Sequence, residues 1–175
     1  MQPLEEELEA RAGRGDAAAF GALIRSYDSD LRGVAWSVSR SATATDDIMQ
    51  TAYEKAFRSI DRFDQRSSMK TWLHSIVYRT ALDHLRYEGR RRHQELEVVD
   101  QVAPRTDSTS GRVIDQAEVR DALDQLDPEQ RAALMMTAGL GYSFDEAAEI
   151  TGVSRGTIAS RVSRARKKID RWEAS

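Results

Sequence analysis

Cysteine is absent from all 175 residues. Disulfides, a thiolate nucleophile, zinc–thiolate sites and thiol redox sensing by this chain are therefore excluded. No apolar run reaches the roughly eighteen residues that a membrane helix needs, so no membrane insertion is expected. The start, Met1-Gln-Pro-Leu-Glu-Glu-Glu7, is acidic where a signal peptide would be apolar, and a cytoplasmic chain is expected. No stretch alternates with period two and no internal repeat is visible, so the expected fold is all-α. The chain also lacks a Ser–His–Asp arrangement, a paired-carboxylate site and a phosphate-cradling glycine loop. His74, His84 and His93 stand 10 and 9 residues apart and share no i, i+4 face. No catalytic residue, metal or cofactor is expected, and the chain is expected not to be an enzyme.

What is present is charge, unevenly laid out. The net charge is −3. Residues 1–64 carry 8 basic and 12 acidic side chains, and residues 65–92 carry 7 and 2. Residues 93–154 carry 4 and 13, and residues 155–175 carry 7 and 2. Two basic islands in an acidic protein imply two separate polyanion contacts, while the acidic remainder suppresses indiscriminate binding.

Hydrophobic spacing divides the chain. Residues 1–14 read as a frayed acidic extension. Asp16 caps a helix in which Phe20, Leu23, Ile24, Tyr27, Leu31, Val34, Ala35 and Val38 hold helical spacing. After a polar loop to Thr45, Asp46 and Asp47 begin a second helix with the stripe Ile48, Met49, Ala52, Ala56, Phe57 and Ile60. Residues 61–68 break the period. A long helix then runs from Met69 towards Arg90, with Leu73, Ile76, Val77, Thr80, Ala81 and Leu85 inward and Arg79, Asp83, Arg86 and Arg90 on a polar stripe. Arg79 and Asp83 also have the spacing of an ordinary ion pair. Residues 93–115 lose periodicity and read as a flexible linker with 5 acids against 2 arginines. Periodicity returns at Val119, Leu123 and Leu126. Asp127-Pro-Glu-Gln130 is a helix start with Leu134, Met135 and Met136 as core, and Gly139-Leu-Gly141 ends that helix. The organisation is two small helical domains, residues 15–92 and 116–175, joined by the linker.

The most informative stretch closes the chain. Ser143-Phe-Asp-Glu146 has the capping-box pattern and opens a short helix. Gly152 supplies a sharp turn, and Ser154 can cap a basic helix. In that helix Ile158, Val162, Ala165, Ile169 and Trp172 form one apolar stripe. Thr157, Ser160, Arg161, Arg164, Lys168 and Arg171 follow on a neighbouring face. Short helix, glycine turn and basic helix are the order of a helix-turn-helix. Arg can fork onto guanine, and short hydroxyls let the backbone approach phosphates.

Three motifs in order carry a resemblance: Asp46-Asp-Ile-Met-Gln50 with Ala56-Phe57, then Trp72-Leu-His-Ser-Ile76 with Ala81-Leu-Asp83-His-Leu-Arg86, then Gly156-Thr-Ile-Ala-Ser-Arg161 with Arg164-Ala-Arg166. The chain resembles the extracytoplasmic-function group of bacterial sigma-70 family factors. The resemblance implies a dissociable RNA polymerase subunit that directs promoter recognition and promoter melting, with core polymerase and promoter DNA as partners. The first domain would be sigma region 2, whose Asp46, Asp47, Gln50 and Glu54 would grip the β′ clamp helices. Its −10 contacts would be Phe63, Arg66, Ser67, Ser68, Lys70, Arg79, Asp83, Arg86 and Arg90, on a single strand. The second domain would be region 4, docked on the β flap. Its contacts to the −35 duplex would be Ser154, Arg155, Gly156, Thr157, Ser160, Arg161, Arg164 and Lys168. The linker would thread towards the active-site cleft, and an anti-sigma factor is a further candidate partner. Arg79 stands where members commonly carry Asn. An autonomous helix-turn-helix regulator is the rival reading, though a sensor domain would have no use for the basic island at 65–92.

Overall fold

A computed structural model describes residues 3–64, 66–96 and 120–173. Its first element, α1 (Pro3–Ala12), is a docked helix where the sequence suggested fraying. Tertiary contact accounts for the difference. Ala12 is fully buried, Leu8 packs on the core, and the Tyr27 hydroxyl donates to Glu5. Burial, reinforced by the Glu5 carboxylate, pushes the Tyr27 phenol well above its ordinary range.

Gly15, at φ 87°, turns the chain into α2 (Ala17–Ser39). Asp16 caps it as expected, accepting from Ala18 N–H at 2.9 Å and Ala19 N–H at 3.1 Å. Phe20, Leu23, Tyr27, Leu31, Val34, Ala35 and Val38 are buried on one face. Arg40, left-handed at φ 55°, closes the helix by donating its N–H to Trp36 O at 2.9 Å.

α3 (Ala42–Ser59) begins earlier than Asp46 because Ser41 supplies the cap, accepting from Ala44 N–H at 3.3 Å. Asp46 and Asp47 therefore lie beyond the first turn, where the helix dipole no longer accounts for acids. Phe57, expected inward, is 51% exposed: Phe20 covers one side of its ring, at a centroid distance of 5.7 Å, and nothing buries the rest. A short 3-10 turn (Ile60–Arg62) leads into the loop before α4 (Met69–Leu96), which carries Met69, Leu73, Val77, Tyr78 and Ala81 into the core. The helix continues through residues 93–96, which the sequence had assigned to the linker; residues 97–115 of that linker, and Val119, lie outside the described residues.

The second unit resumes as helix at residues 120–124. Asp127 caps α5 (Pro128–Leu134), accepting from Gln130 N–H at 2.9 Å, with Pro128 in the first turn. A π-helical turn (Met135–Gly139) follows, in which Met136 is buried while Leu134 and Met135 are only partly covered. Then come α6 (Phe144–Thr151) and α7 (Arg155–Glu173).

The two units meet along a polar seam. Arg131 of α5 is 6% exposed and donates to three backbone carbonyls: Leu123 O at 2.8 Å, Leu126 O at 2.6 Å and, across the seam, Ser37 O at 2.8 Å. Ser37 lies in the last turn of α2, where carbonyls lack helical partners and the dipole favours a cation. Arg40 stacks over Trp36 at 3.9 Å and reaches Asp124 at 2.6 Å. On the other flank the His74 ring of α4 meets Tyr142 edge-on at 5.3 Å. His74 Nδ1 lies 2.7 Å from Lys70 O and 3.1 Å from the Tyr142 hydroxyl. A carbonyl only accepts, so Nδ1 carries the proton and Nε2, buried without a partner, is bare.

Burial holds His74 below the ordinary imidazole range, against the opposing pull of the Lys70 carbonyl. The charged and titratable groups facing it are Lys70 on its own helix, Asp30 on α2 and Tyr142 across the seam. With a depressed folded pKa, this histidine contributes its full stability above the unfolded value of about 6.5 and loses it as pH falls below that. The thermal midpoint should therefore drop between about pH 7 and pH 5.5. In His74→Phe that slope should flatten; an unchanged slope would assign it to other groups.

Candidate nucleic-acid interface

The helix-turn-helix forms as the local signals require. Ser143 Oγ accepts from Glu146 N–H at 3.2 Å, while Glu146 Oε2 accepts from Ser143 N–H at 2.8 Å. Those bonds, the hydroxyl's first, hold the Glu146 carboxyl below its usual range. Gly152 turns at φ 73° and donates to Ala148 O at 2.8 Å. Ala147 and Ile150 of α6 are buried, as are Ile158, Val162 and Ala165 of α7, which fixes the face that α7 turns outward.

On that outward face Ser154, Arg155, Gly156 and Arg164 are exposed, and Thr157, Ser160 and Lys168 are partly covered. Ser154 Oγ accepts from Thr157 N–H at 3.1 Å and so caps α7. Arg155 leans back over Phe144 at 5.9 Å and towards Asp145 at 3.4 Å. Arg161 departs from its group. Its side chain is only 14% exposed, is ion-paired with Glu129 of α5, and leaves Nη1 buried without a hydrogen-bond partner beside Tyr78 of α4. Lys168 approaches Asp127 at 3.8 Å.

In the first unit, the loop at 63–68 and the first turn of α4 are organised from both ends; residue 65 lies outside the described residues. Phe63 tilts against Trp72 at a centroid distance of 5.3 Å, so Trp72 serves the loop and the core together. Ser68 Oγ accepts from Thr71 N–H at 3.1 Å and caps α4. Arg66 is exposed beside Asp64 at 2.9 Å, and Ser67 is partly covered. Lys70 pairs with Asp30 at 2.7 Å and lies between the rings of Tyr27 and Tyr142, at 5.9 and 5.7 Å.

Arg79, Asp83, Arg86 and Arg90 all stand exposed along α4. Asp83 pairs with Arg86 at 3.5 Å, not with Arg79 as the i, i+4 spacing suggested, which leaves Arg79 pointing outward. Spacing alone did not single out Tyr87, 57% exposed beside this stripe, or Tyr78, which is 2% exposed in the core.

On α3, Asp46, Asp47, Gln50 and Glu54 are all exposed. Asp46 is held by Arg32 at 2.6 Å and Glu54 lies 3.7 Å from Arg58. Asp46 and Arg32 also border an open, mainly apolar hollow with Trp36, Ala42 and Thr45. Among the described residues no helix is long and apolar enough to cross a membrane, and no group of three acidic or histidine side chains could hold a metal ion.

Known proteins share this arrangement. Residues 23–91 match the family model for Sigma-70 region 2, and residues 116–169 match Sigma-70, region 4. The chain is 36% identical to the ECF RNA polymerase sigma factor SigM of Mycobacterium tuberculosis over 167 residues, covering 95% of this chain and 83% of that protein. It is 37% identical to the ECF RNA polymerase sigma factor EcfG of Rhodopseudomonas palustris, covering 79% of this chain and 76% of that one. Among solved structures, the sigma factor RpoE of Bartonella quintana, crystallised with the anti-sigma factor NepR, superposes with a TM-score of 0.73 at 30% identity, covering 87% of this chain and 94% of that one. CnrH in complex with the cytosolic domain of CnrY superposes with a TM-score of 0.72 at 28% identity, covering 98% and 97%. The helix-turn-helix, the second basic island and these matches together make the chain a member of the extracytoplasmic-function group of the sigma-70 family, an RNA polymerase sigma factor that serves promoter recognition.

Proposed function

We propose that this sigma factor divides promoter opening between its two basic islands. The outward face of α7 reads the −35 duplex. The loop at 63–68, the first turn of α4 and the stripe along that helix capture and hold the −10 strand. The exposed acidic face of α3 docks on the β′ clamp helices, and the second unit docks on the β flap. The observation that carries this reading is the placement of exposed cations on separate units: Arg155 and Arg164 on one, Arg66, Arg79 and Arg90 on the other. One polyanion contact would need only one of them. The domain division at 15–92 and 116–175, a cytoplasmic site of action and the absence of enzymatic activity of its own belong to the same reading. So does an anti-sigma partner, since the RpoE structure is a complex with one and the CnrH structure is a complex with the cytosolic domain of CnrY.

Co-purification with core polymerase followed by run-off transcription on genomic DNA tests the proposal. Transcripts should start at a shared promoter pattern only when the chain is present. Tight, sequence-specific duplex binding by the free chain, without polymerase association, would instead establish the autonomous regulator.

The −35 face can be read side chain by side chain. In the holoenzyme, Arg164→Ala should weaken promoter binding by about 1–3 kcal/mol and relax specificity at one position if the guanidinium meets a base. If it meets phosphate, all sequences should weaken together and the salt slope should fall by about one. Arg161 must first leave Glu129, so in the free chain Arg161→Ala should reduce DNA binding less than Arg164→Ala does.

A further inference from the structure

Past Ala81 the long helix α4 leaves the core. No side chain of residues 82–93 is buried. Leu82 and Leu85 still lean on the core, but from Arg86 to His93 only Glu88 is even partly covered. The helix nevertheless continues to Leu96. A projecting end of this kind gains nothing from packing, which supplies most helical stability in proteins. Its composition works against it too. Gly89, a poor helix former, stands in its middle, and Arg86 and Arg90 are four residues apart, a like-charge spacing that repels. Asp83 lies 3.5 Å from Arg86 and Glu88 lies 3.6 Å from Arg91, but both pairs are open to solvent, where such bridges contribute little.

On this end sits Tyr87, 57% exposed. Among the described residues only Phe57 is a comparably exposed large apolar side chain, and Phe20 covers one side of that ring. An aromatic ring in the open among arginines has the composition of a nucleic-acid surface, where rings pack on the nucleotide and guanidinium groups neutralise phosphate. Position decides which part of the DNA it meets. From Trp72, beside the strand-capturing loop, to Tyr87 the helix rises about 22 Å at about 1.5 Å per residue. That length spans about six or seven nucleotides at about 3.4 Å each. α4 begins at the loop and ends at the chain leading to the unit that reads −35, so its far end points upstream. There the DNA is paired. Its bases are closed to stacking, and a side chain outside the grooves reaches sugar and phosphate.

We propose that the projecting end of α4 anchors the duplex just upstream of the −10 element: the Tyr87 ring packs against a deoxyribose, its hydroxyl donates to a phosphate, and Arg86 and Arg90 neutralise the phosphates on either side. The anchor rests on the function proposed above and deepens it, by dividing the α4 stripe between opened strand and duplex. Arg79, two turns closer to the loop, stays with the strand. Phosphate bound between Arg86 and Arg90 also removes their mutual repulsion, so DNA and the helix end stabilise each other. By linkage, a ligand that binds only the ordered end makes that end more stable. A duplex held at its upstream edge confines unwinding to the downstream side, where the loop waits for the base.

Two forked DNA templates test the anchor in the holoenzyme. Both carry an unpaired −10 segment and neither includes a −35 element. One keeps only a three-base-pair duplex upstream of the fork, and the other keeps twelve. Tyr87→Ala should weaken binding to the long fork about three- to tenfold and leave the short fork unchanged. Tyr87→Phe, which keeps the ring, should retain most of the long-fork affinity. Alanine is the better helix former, so a loss in Tyr87→Ala does not arise from a melted helix. Arg90→Ala should lower the salt slope by about one on the long fork only. Long-fork binding by Tyr87→Ala equal to that of the wild type would overturn the anchor. Equal losses on both forks would also overturn it, by placing the ring on the opened strand or on polymerase. Failure of the wild-type holoenzyme to bind either fork would count against the proposed function instead.

Discussion

Asp47→Lys combined with Gln50→Ala is expected to weaken association with core polymerase by roughly 30-fold or more while α3 stays folded. Both side chains are exposed on α3, so the change removes no core contact. Neither lies in the first turn, so no cap is lost, and Lys is a better helix former than Asp. What changes is the face offered to a partner. Truncating a central interface residue costs about 2 kcal/mol or more, and putting a like charge against a basic surface costs several more. The variant is less acidic, so charge alone would predict stronger DNA binding. The expected outcome is the reverse in function: transcription lost, circular dichroism unchanged, oligonucleotide binding by the free chain equal or greater. Undiminished polymerase binding would move the docking surface off α3.

The second large effect concerns strand opening. Phe63→Ala should reduce transcription from a double-stranded promoter about tenfold or more, because extracting a base from the stack costs a few kcal/mol that a lost stacking surface no longer offsets. A template already mismatched through the −10 region should recover much of the loss. Ser68→Ala should show the same pattern less cleanly. Its hydroxyl also caps α4 at Thr71 N–H, so about 1 kcal/mol of stability goes with it. Equal defects on both templates, with fold and polymerase affinity intact, would remove Phe63 from the opening step.

The parts of this fold legible in the sequence were those governed by neighbours within four residues. Asp16, Asp127, Ser143 with Glu146, Gly152 and Ser154 each announce a helix end through a bond to a nearby amide or through a left-handed turn, and each does so in the structure. The misread features depend on distant residues. α1 is held by Tyr27 and the buried Ala12, which the acidic stretch does not advertise. Phe57 keeps helical spacing with the core, yet its surroundings end at Phe20. Asp83 had two arginines in reach, and spacing could not choose between Arg79 and Arg86. For the candidate site, periodicity set Arg161 beside Arg164, but Glu129, 32 positions upstream, is what distinguishes them. Helical spacing identifies a face; which part of that face meets solvent is decided by whatever packs there.

The reach of Arg131 to the Ser37 carbonyl also bears on how the protein is made. The two residues are 94 positions apart in the chain. At a synthesis rate of about 5–20 residues per second, roughly 5–19 seconds separate their assembly on the ribosome. Throughout that interval the end of α2 has only water to satisfy it, and the first unit must hold its shape without the second. The nascent chain therefore passes through a stage in which the first unit is complete and Arg131 has not yet been synthesised.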